Sequence, residues 1–218
     1  MNAVAVLVVA KAPVPGLAKT RLAAGVGAEV AADIAAAALL DTLDAVADAA
    51  VADRVVALTG DLAGACRGAE IRDRLGDFVV VPQRGDGFAQ RLANAHADAA
   101  ELTGLPVLQI GMDTPQVTAA LLEDCGHALG GADAVLGMAR DGGWWVLGVR
   151  APGTAACLAG VEMSTPRTGA ETLAALRGTG AAVVLVEELA DFDTVDDLAE
   201  VRRVCVPDSR FVGAVREL

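Results

Sequence analysis

Two lysines and an arginine share one short segment, KAPVPGLAKTRL, running from Lys11 to Leu22. Lys11 and Lys19 are the only lysines in the chain, and every other basic residue is arginine. An ammonium is a compact point charge suited to a phosphate oxygen, whereas the guanidinium of Arg21 adds a planar, bidentate fork. Pro15 and Gly16 bend the segment between an apolar β-like run, Ala3–Val9, and a helical pattern. Strand, glycine-bearing turn and helix start together expose backbone N–H groups to an anion. The segment therefore reads as a loop for the phosphates of a nucleotide; the alternative is a tight connection with solvated lysines. It is not a Walker A loop, because Ala18 and not glycine precedes Lys19. Gly25-Val26-Gly27 follows no strand and lacks the third glycine of a dinucleotide fingerprint.

Four further groups carry polar chemistry. The apolar run Pro106–Ile110 ends in Gly111-Met112-Asp113-Thr114-Pro115. A carboxylate at such a strand tip suits a Mg²⁺ or Mn²⁺ ion that bridges phosphate oxygens; the alternative is that Asp113 or Thr114 caps the next helix. Near the C-terminus, Thr194 and Asp197 read as a capping box, which leaves Asp193 as the second candidate metal carboxylate. Asp141-Gly142-Gly143-Trp144-Trp145 reads as an acceptor site. Its glycines allow close approach, and the two tryptophans face opposite sides of a strand, so that one fills the core while the other stacks on a sugar or base, or both fill the core. Asp141 is the candidate for positioning or deprotonating the acceptor. Gln83, Gly85, Gly87 and Arg91 form a glycine loop for base or ribose, or an ordinary turn capped by Asp86. His96 and His127 have no partner spacing and read as packing or surface residues.

The elements that position these loops follow from the apolar pattern. Strand-like runs are 3–9, 54–58, 78–81, 106–110, 134–138, 144–149 and 183–186, and helical patterns cover 28–50, 88–101, 118–129, 169–176 and 195–203. Alternation of this kind predicts βαβ units and a mostly parallel sheet, with 134–138 and 144–149 close enough to be antiparallel. Ligands bind at the carboxyl ends of such strands, which selects residues 10–22, 82–91, 111–117, 139–143 and 187–194. A length of 218 residues and an apolar content of 54% fit one domain over residues 1–218. The net charge of −12 excludes a nucleic-acid polymer and an anionic membrane as partners. In the alanine-rich stretch 30–51, Asp33, Asp41, Asp44 and Asp48 share one helical face opposite Leu39, Leu43 and Val46. That pattern predicts an amphipathic surface helix, not a membrane span. Cys66, Cys125, Cys157 and Cys205 are scattered and read as small hydrophobes in a reducing cytoplasm; the short N-terminal apolar run reads as a core strand, not a signal peptide.

Taken together, the motifs resemble those of bacterial GT-A-type transferases, a glycosyltransferase-A-like family associated with radical-SAM and selenodomain proteins. The resemblance runs through P-x-P-G-x-x-K-T-R-L at 13–22, Q-x-G with Arg91, G-x-D-[ST]-P at 111–115, D-G-G-[WY]-[WY] at 141–145 and D-x-D-T-x-x-D-L at 191–198. More distantly the chain is similar to nucleotidyltransferases such as phospholactate guanylyltransferase and molybdenum cofactor guanylyltransferase. The resemblance implies an α/β, Rossmann-like nucleotide-diphospho-sugar transferase (GT-A) fold, with a mixed, mostly parallel sheet and helices on both faces. It implies Lys19 and Arg21 on nucleotide phosphates, and Asp113 with Asp193 on Mg²⁺ or Mn²⁺. Its substrates would be a nucleotide or nucleotide-sugar and a small-molecule acceptor. The chain departs from the family at Trp144 and Trp145, where tyrosines are commoner, and at Met138 and Met163, where proline and tryptophan are usual. Glycosyl transfer, nucleotidyl transfer and nucleotide binding without turnover all remain open at this point.

Overall fold

The computed structural model describes residues 2–216 and 218. Seven strands form one sheet: β1 (Asn2–Lys11), β2 (Val51–Thr59), β3 (Val79–Pro82), β4 (Val107–Gly111), β5 (Ala134–Ala139), β6 (Trp144–Val149) and β7 (Val183–Leu189). Their order is β3-β2-β1-β4-β6-β5-β7. β6 alone runs against its neighbours β4 and β5, and the remaining pairs are parallel. All seven predicted strands are present, including the antiparallel pair. The central strands are apolar on both faces because helices cover both. On one face Val6, Val8, Leu108 and Ile110 pack with residues of α2 (Ala28–Asp48) and α5 (Ala119–Gly131). On the other, Leu7, Val107 and Leu147 pack with α4 (Phe88–Thr103) and α6 (Thr168–Gly178). Helices α1 (Thr20–Val26), α3 (Gly68–Arg74), α7 (Val195–Val204) and α8 (Arg210–Ala214) complete the chain. Among the described residues no helix is long and apolar enough to cross a membrane, and all four cysteines are free.

The long alanine-rich helix departs from its predicted surface position. Twelve residues of α2 are buried, from Ala31 to Val46, because its acidic face is covered as well. Asp33 takes both forks of Arg67 at 2.7 and 2.8 Å, and Asp44 pairs with Arg74 and Arg210. Asp41 accepts the backbone N–H groups of Arg210 and Phe211 at 3.0 and 2.8 Å. Three of the four carboxylates that read as a solvated stripe are docking points for α3 and α8, and Asp48 alone stays exposed. Arg210 also reaches Glu70 at 2.8 Å, and these carboxylates hold it protonated above its already high range despite the cost of desolvation.

That docking also shapes the segment from Lys11 to Leu22. It buries Phe211 against Phe192, with ring centroids 4.9 Å apart, and Phe192 in turn lies beneath the ammonium of Lys19 at 4.4 Å. Phe211→Ala should therefore cost about 3–5 kcal/mol. Chemical denaturation measures it; a loss below about 1 kcal/mol would show that α8 does not brace this corner.

Candidate active site

The carboxyl ends of β1, β4 and β5, the amino end of the antiparallel β6 and the segment after β7 open into a cleft of about 750 Å³. Its wall includes Lys11, Lys19, Arg21, Gln83, Arg91, Asp113, Asp141, Gly143, Trp144, Trp145 and Asp193. Five predicted residues lie outside the wall: Pro15, Gly16, Gly85, Gly87 and Gly142. Gly142 shows why. It holds φ +92, and a Cβ there would stand 2.1 Å from Pro166 O, so the room it leaves is filled by the chain's own 166–169 backbone and not by a ligand.

Lys19 is the centre of the cleft's charge. Its Nζ donates to Asp113 Oδ2 at 2.9 Å, Asp193 Oδ1 at 2.8 Å and Phe192 O at 2.5 Å. Arg21 Nη1 takes the other oxygen of Asp193 at 2.7 Å. Burial works against the ammonium, but the two carboxylates outweigh it and hold Lys19 protonated above its ordinary range. Burial likewise pushes Asp113 upward, and Lys19 reverses this, leaving the carboxyl below the usual range. Lys19 itself has a left-handed backbone, φ 46 and ψ 52, and is the N-cap of the seven-residue α1. A non-glycine residue in that region is strained, and the ion pairs of its side chain oppose that strain. Lys11 Nζ, by contrast, binds the loop's own Leu17 O at 2.7 Å.

The caps fall differently from the sequence alternatives at two places. Thr118, not Asp113 or Thr114, caps α5, accepting from Leu121 N at 3.2 Å. Gly87, not Asp86, precedes α4. Asp113 is thus free of any capping role, at the start of an irregular loop. The capping box at α7 is present: Asp197 Oδ2 accepts from the backbone of Thr194 at 2.7 Å and of Asp193 at 3.0 Å. It fixes the chain at Asp193 so that the carboxylate turns towards Lys19. The tryptophans face opposite sides of the sheet. Trp145 is buried and donates from Nε1 to Glu187 O at 2.7 Å, while Trp144 is half-buried on the opposite face. Asp141 is exposed and accepts from Gly143 N at 2.7 Å. Gln83 gives its amide N–H groups to Ala10 O and Ala57 O at 2.8 and 2.9 Å, which leaves only its oxygen for a ligand.

Sequence reasoning missed three parts of the wall: Asp191, Gln109 and the segment from Met163 to Thr168. The D-x-D spacing of Asp191 and Asp193 was the available signal for the first. Burial, then the nearby charges of Asp141 and Asp113, push the Asp191 carboxyl up to about 6. Among the described residues it has no basic partner within 4.0 Å. Four carboxylates, Asp113, Asp141, Asp191 and Asp193, therefore share the cleft. Their oxygens are the hard donors that Mg²⁺ and Mn²⁺ select. No three His, Cys, Asp or Glu side chains among the described residues converge as a ready metal shell, so an ion here would need oxygens from its substrate.

His96 and Asp191 make a prediction about pH. Burial lowers His96 from 6.5 to about 4, so the folded chain refuses a proton that the unfolded chain accepts, and stability falls as pH drops through that interval. Asp191 is raised from 3.8 to about 6, so its contribution has the opposite sign: present at low pH and lost as pH rises through 6. The two oppose each other between pH 4 and 6. Asp191→Asn should uncover the histidine term, adding a loss of about 1 kcal/mol between pH 6.5 and 5. Urea titrations of both proteins at several pH values test this, and parallel stability curves would refute it.

The solved structures agree on the architecture. A protein from Desulfovibrio desulfuricans G20, assigned provisionally as a nucleotide-diphospho-sugar transferase, is 26% identical, with a TM-score of 0.86 over 100% of this chain and 95% of its own. The manganese complex of Rv0371C from Mycobacterium tuberculosis H37Rv is 18% identical, with a TM-score of 0.52 over 91% and 97% of the two chains. CMP:2-keto-3-deoxy-manno-octonic acid synthetase, complexed with CTP, is 13% identical, with a TM-score of 0.55 over 92% and 97%. The fold is therefore the nucleotide-diphospho-sugar transferase (GT-A) fold that the motifs implied. None of the curated proteins compared with the chain matches it. A family profile matches residues 42–165, a stretch that holds Gln83, Arg91, Asp113, Asp141 and both tryptophans but neither the Lys19 loop nor Asp193. The chain belongs to the family described as "Uncharacterized protein conserved in bacteria (DUF2064)".

Proposed function

We propose that this chain is a metal-dependent transferase with a nucleotide or nucleotide-sugar donor, glycosyltransferase-like, acting through one domain over residues 1–218. The observation that carries this reading is the cluster of Lys19, Arg21, Asp113 and Asp193 at the carboxyl edge of the sheet, beside the unpaired carboxylate of Asp191. A site that binds phosphates and a divalent ion needs both cations and free carboxylates. Asp113 and Asp191 would hold Mg²⁺ or Mn²⁺, since both oxygens of Asp193 are already paired with protein cations. The ion would neutralise charge on the donor's phosphates. Lys19 and Arg21 would stabilise the leaving phosphate oxygens, Gln83 Oε1 would accept from the base, and Asp141 would orient or deprotonate the acceptor beside Trp144. The relative from Desulfovibrio desulfuricans and the manganese- and CTP-bound structures of the same fold support this reading.

A second reading, nucleotidyl transfer with release of pyrophosphate, is favoured by the three basic residues Lys11, Lys19 and Arg21 at one end of the cleft. Thermal stability against nucleoside triphosphates and nucleotide-sugars, with and without Mg²⁺ or Mn²⁺, separates the two. A ligand at about 100 times its Kd stabilises by roughly 2.7 kcal/mol, a shift of several degrees. A metal-dependent shift with a nucleotide-sugar supports glycosyl transfer, and one confined to a triphosphate supports nucleotidyl transfer. No shift with any nucleotide would refute both.

A further inference from the structure

Lys19 and its carboxylates occupy one pole of the cleft, on the face of the sheet that α2 covers. The pole on the α4 face holds polar groups that the reading above does not use. Gln109 lies in the middle of β4, fully buried, and forms part of the cleft wall. Its Oε1 stands 3.1 Å from His96 Nδ1. Burial keeps that ring neutral, with its pKa down at about 4, so a single proton joins Nδ1 to the amide oxygen. Gln109 Nε2 and His96 Nε2 then have no partner. Reversing the amide does not help, because Oε1 would be left unpaired instead of Nε2. A buried donor without an acceptor is costly, and such a group on a cleft wall marks where a ligand's acceptor belongs.

Arg91 stands at the same pole, in the first turn of α4. Its Nε is buried without a partner, and its guanidinium lies 5.9 Å from the Phe88 ring. Arg21, the other arginine of the cleft, is tied to Asp193. Arg91 has no carboxylate within 4.0 Å among the described residues, although the chain carries 29 acidic residues against 17 basic ones. The helix start beside it is open, since Gly87 offers no capping side chain. The adjoining Ser164 holds φ 62, a left-handed backbone shared by only two other described non-glycine residues, one of them Lys19. An unpaired guanidinium, uncapped helical N–H groups and a buried amide donor all seek the same thing: a compact group rich in acceptor oxygens.

We propose that Arg91, Gln109 and the first turn of α4 form a second anion subsite, which binds a carboxylate or phosphate monoester on the acceptor. The acceptor is then an anionic small molecule, held by one pole while the donor's phosphates occupy the other. This rests on the Lys19 pole being the nucleotide's. It moves Arg91 from base or ribose recognition to the acceptor.

The test uses inorganic phosphate and lactate as separate probes, titrated calorimetrically into the unmodified chain, Lys19→Met, Arg91→Met, Arg91→Lys and Gln109→Leu. At least one probe should bind, and its binding should survive Lys19→Met. It should weaken about tenfold or more in Arg91→Met, recover partly in Arg91→Lys and weaken in Gln109→Leu. A response to phosphate alone identifies a phosphate monoester, and to lactate alone a carboxylate. Binding lost in Lys19→Met but untouched in Arg91→Met would overturn the subsite, as would binding of neither probe. The nucleotide panel repeated on Arg91→Met separates the two readings. An unchanged nucleotide shift with the anion lost upholds both. Nucleotide affinity that falls as far as the anion's returns Arg91 to the donor and overturns the subsite. If the unmodified chain shows no nucleotide shift but keeps Arg91-dependent anion binding, the donor reading fails while the subsite stands.

Discussion

Lys19→Met is expected to weaken nucleotide binding about a hundredfold and to destabilise the chain by about 2–4 kcal/mol. Both effects come from one atom. Nζ lies within 3 Å of Asp113, Asp193 and Phe192 O, and methionine keeps the stem on the Phe192 ring while deleting the charge. The phosphate reading then loses its central cation. The fold loses the ion that holds two carboxylates at one place, so burial is free to push Asp113 upward again. The stability loss falls short of that for a fully buried pair because the Asp113 and Asp193 side chains are 40% and 34% exposed. Methionine and lysine suffer the same left-handed backbone, so strain cancels in the comparison. Calorimetric titration with the nucleotide found by the stability panel, alongside urea denaturation, measures both. Unchanged nucleotide affinity would remove Lys19 from the donor site altogether.

Asp113→Asn should lower metal-dependent turnover about a hundred- to a thousandfold while leaving most metal-free nucleotide binding intact. The amide keeps the shape of the side chain but is a poor ligand for a hard cation. Lys19 remains anchored by Asp193 and Phe192 O, so the loop keeps its place and the loss is confined to metal-assisted chemistry. Asp191→Asn should act in the same direction, whereas a chain that binds nucleotides without turnover would form no product before or after either change. Steady-state rates against Mn²⁺ concentration separate these cases. Equal rates for the unmodified protein and Asp113→Asn would refute a metal role for the residue.

The sheet was legible because each strand is a short apolar run bounded by turn residues, and seven such runs became seven strands. Helices α1, α3 and α8 were not, being 7, 7 and 5 residues long, too short to show a period. The acidic face of α2 misled for a definite reason: a stripe of carboxylates has one appearance in sequence, whether water or arginine faces it. Arg67, Arg74 and Arg210 come from distant segments. Of the cleft, Lys19, Asp113 and Asp193 were readable from residue type and position at strand ends, and the structure brings them together. Asp191 was passed over although it stands two residues from Asp193. Gln109 was hidden inside an apolar strand, where a lone amide in Val107–Gly111 was the only mark. The crowding of Gly142 by Pro166 is long-range and has no local signature.

The ammonium between Asp113 and Asp193 also bears on the order of events in turnover. On the proposed reading it is a resident counter-ion: the empty cleft is already electrically compensated at that point and gains little from taking up a free divalent ion. A metal arriving alone must compete with a tethered cation whose effective concentration no solution can match. A metal arriving with a nucleotide meets no such competition, because the phosphates give Lys19 a new partner as the carboxylates change theirs. Initial-velocity patterns should accordingly show the metal–nucleotide complex entering as one substrate, with free metal neither an activator beforehand nor retained after the product leaves.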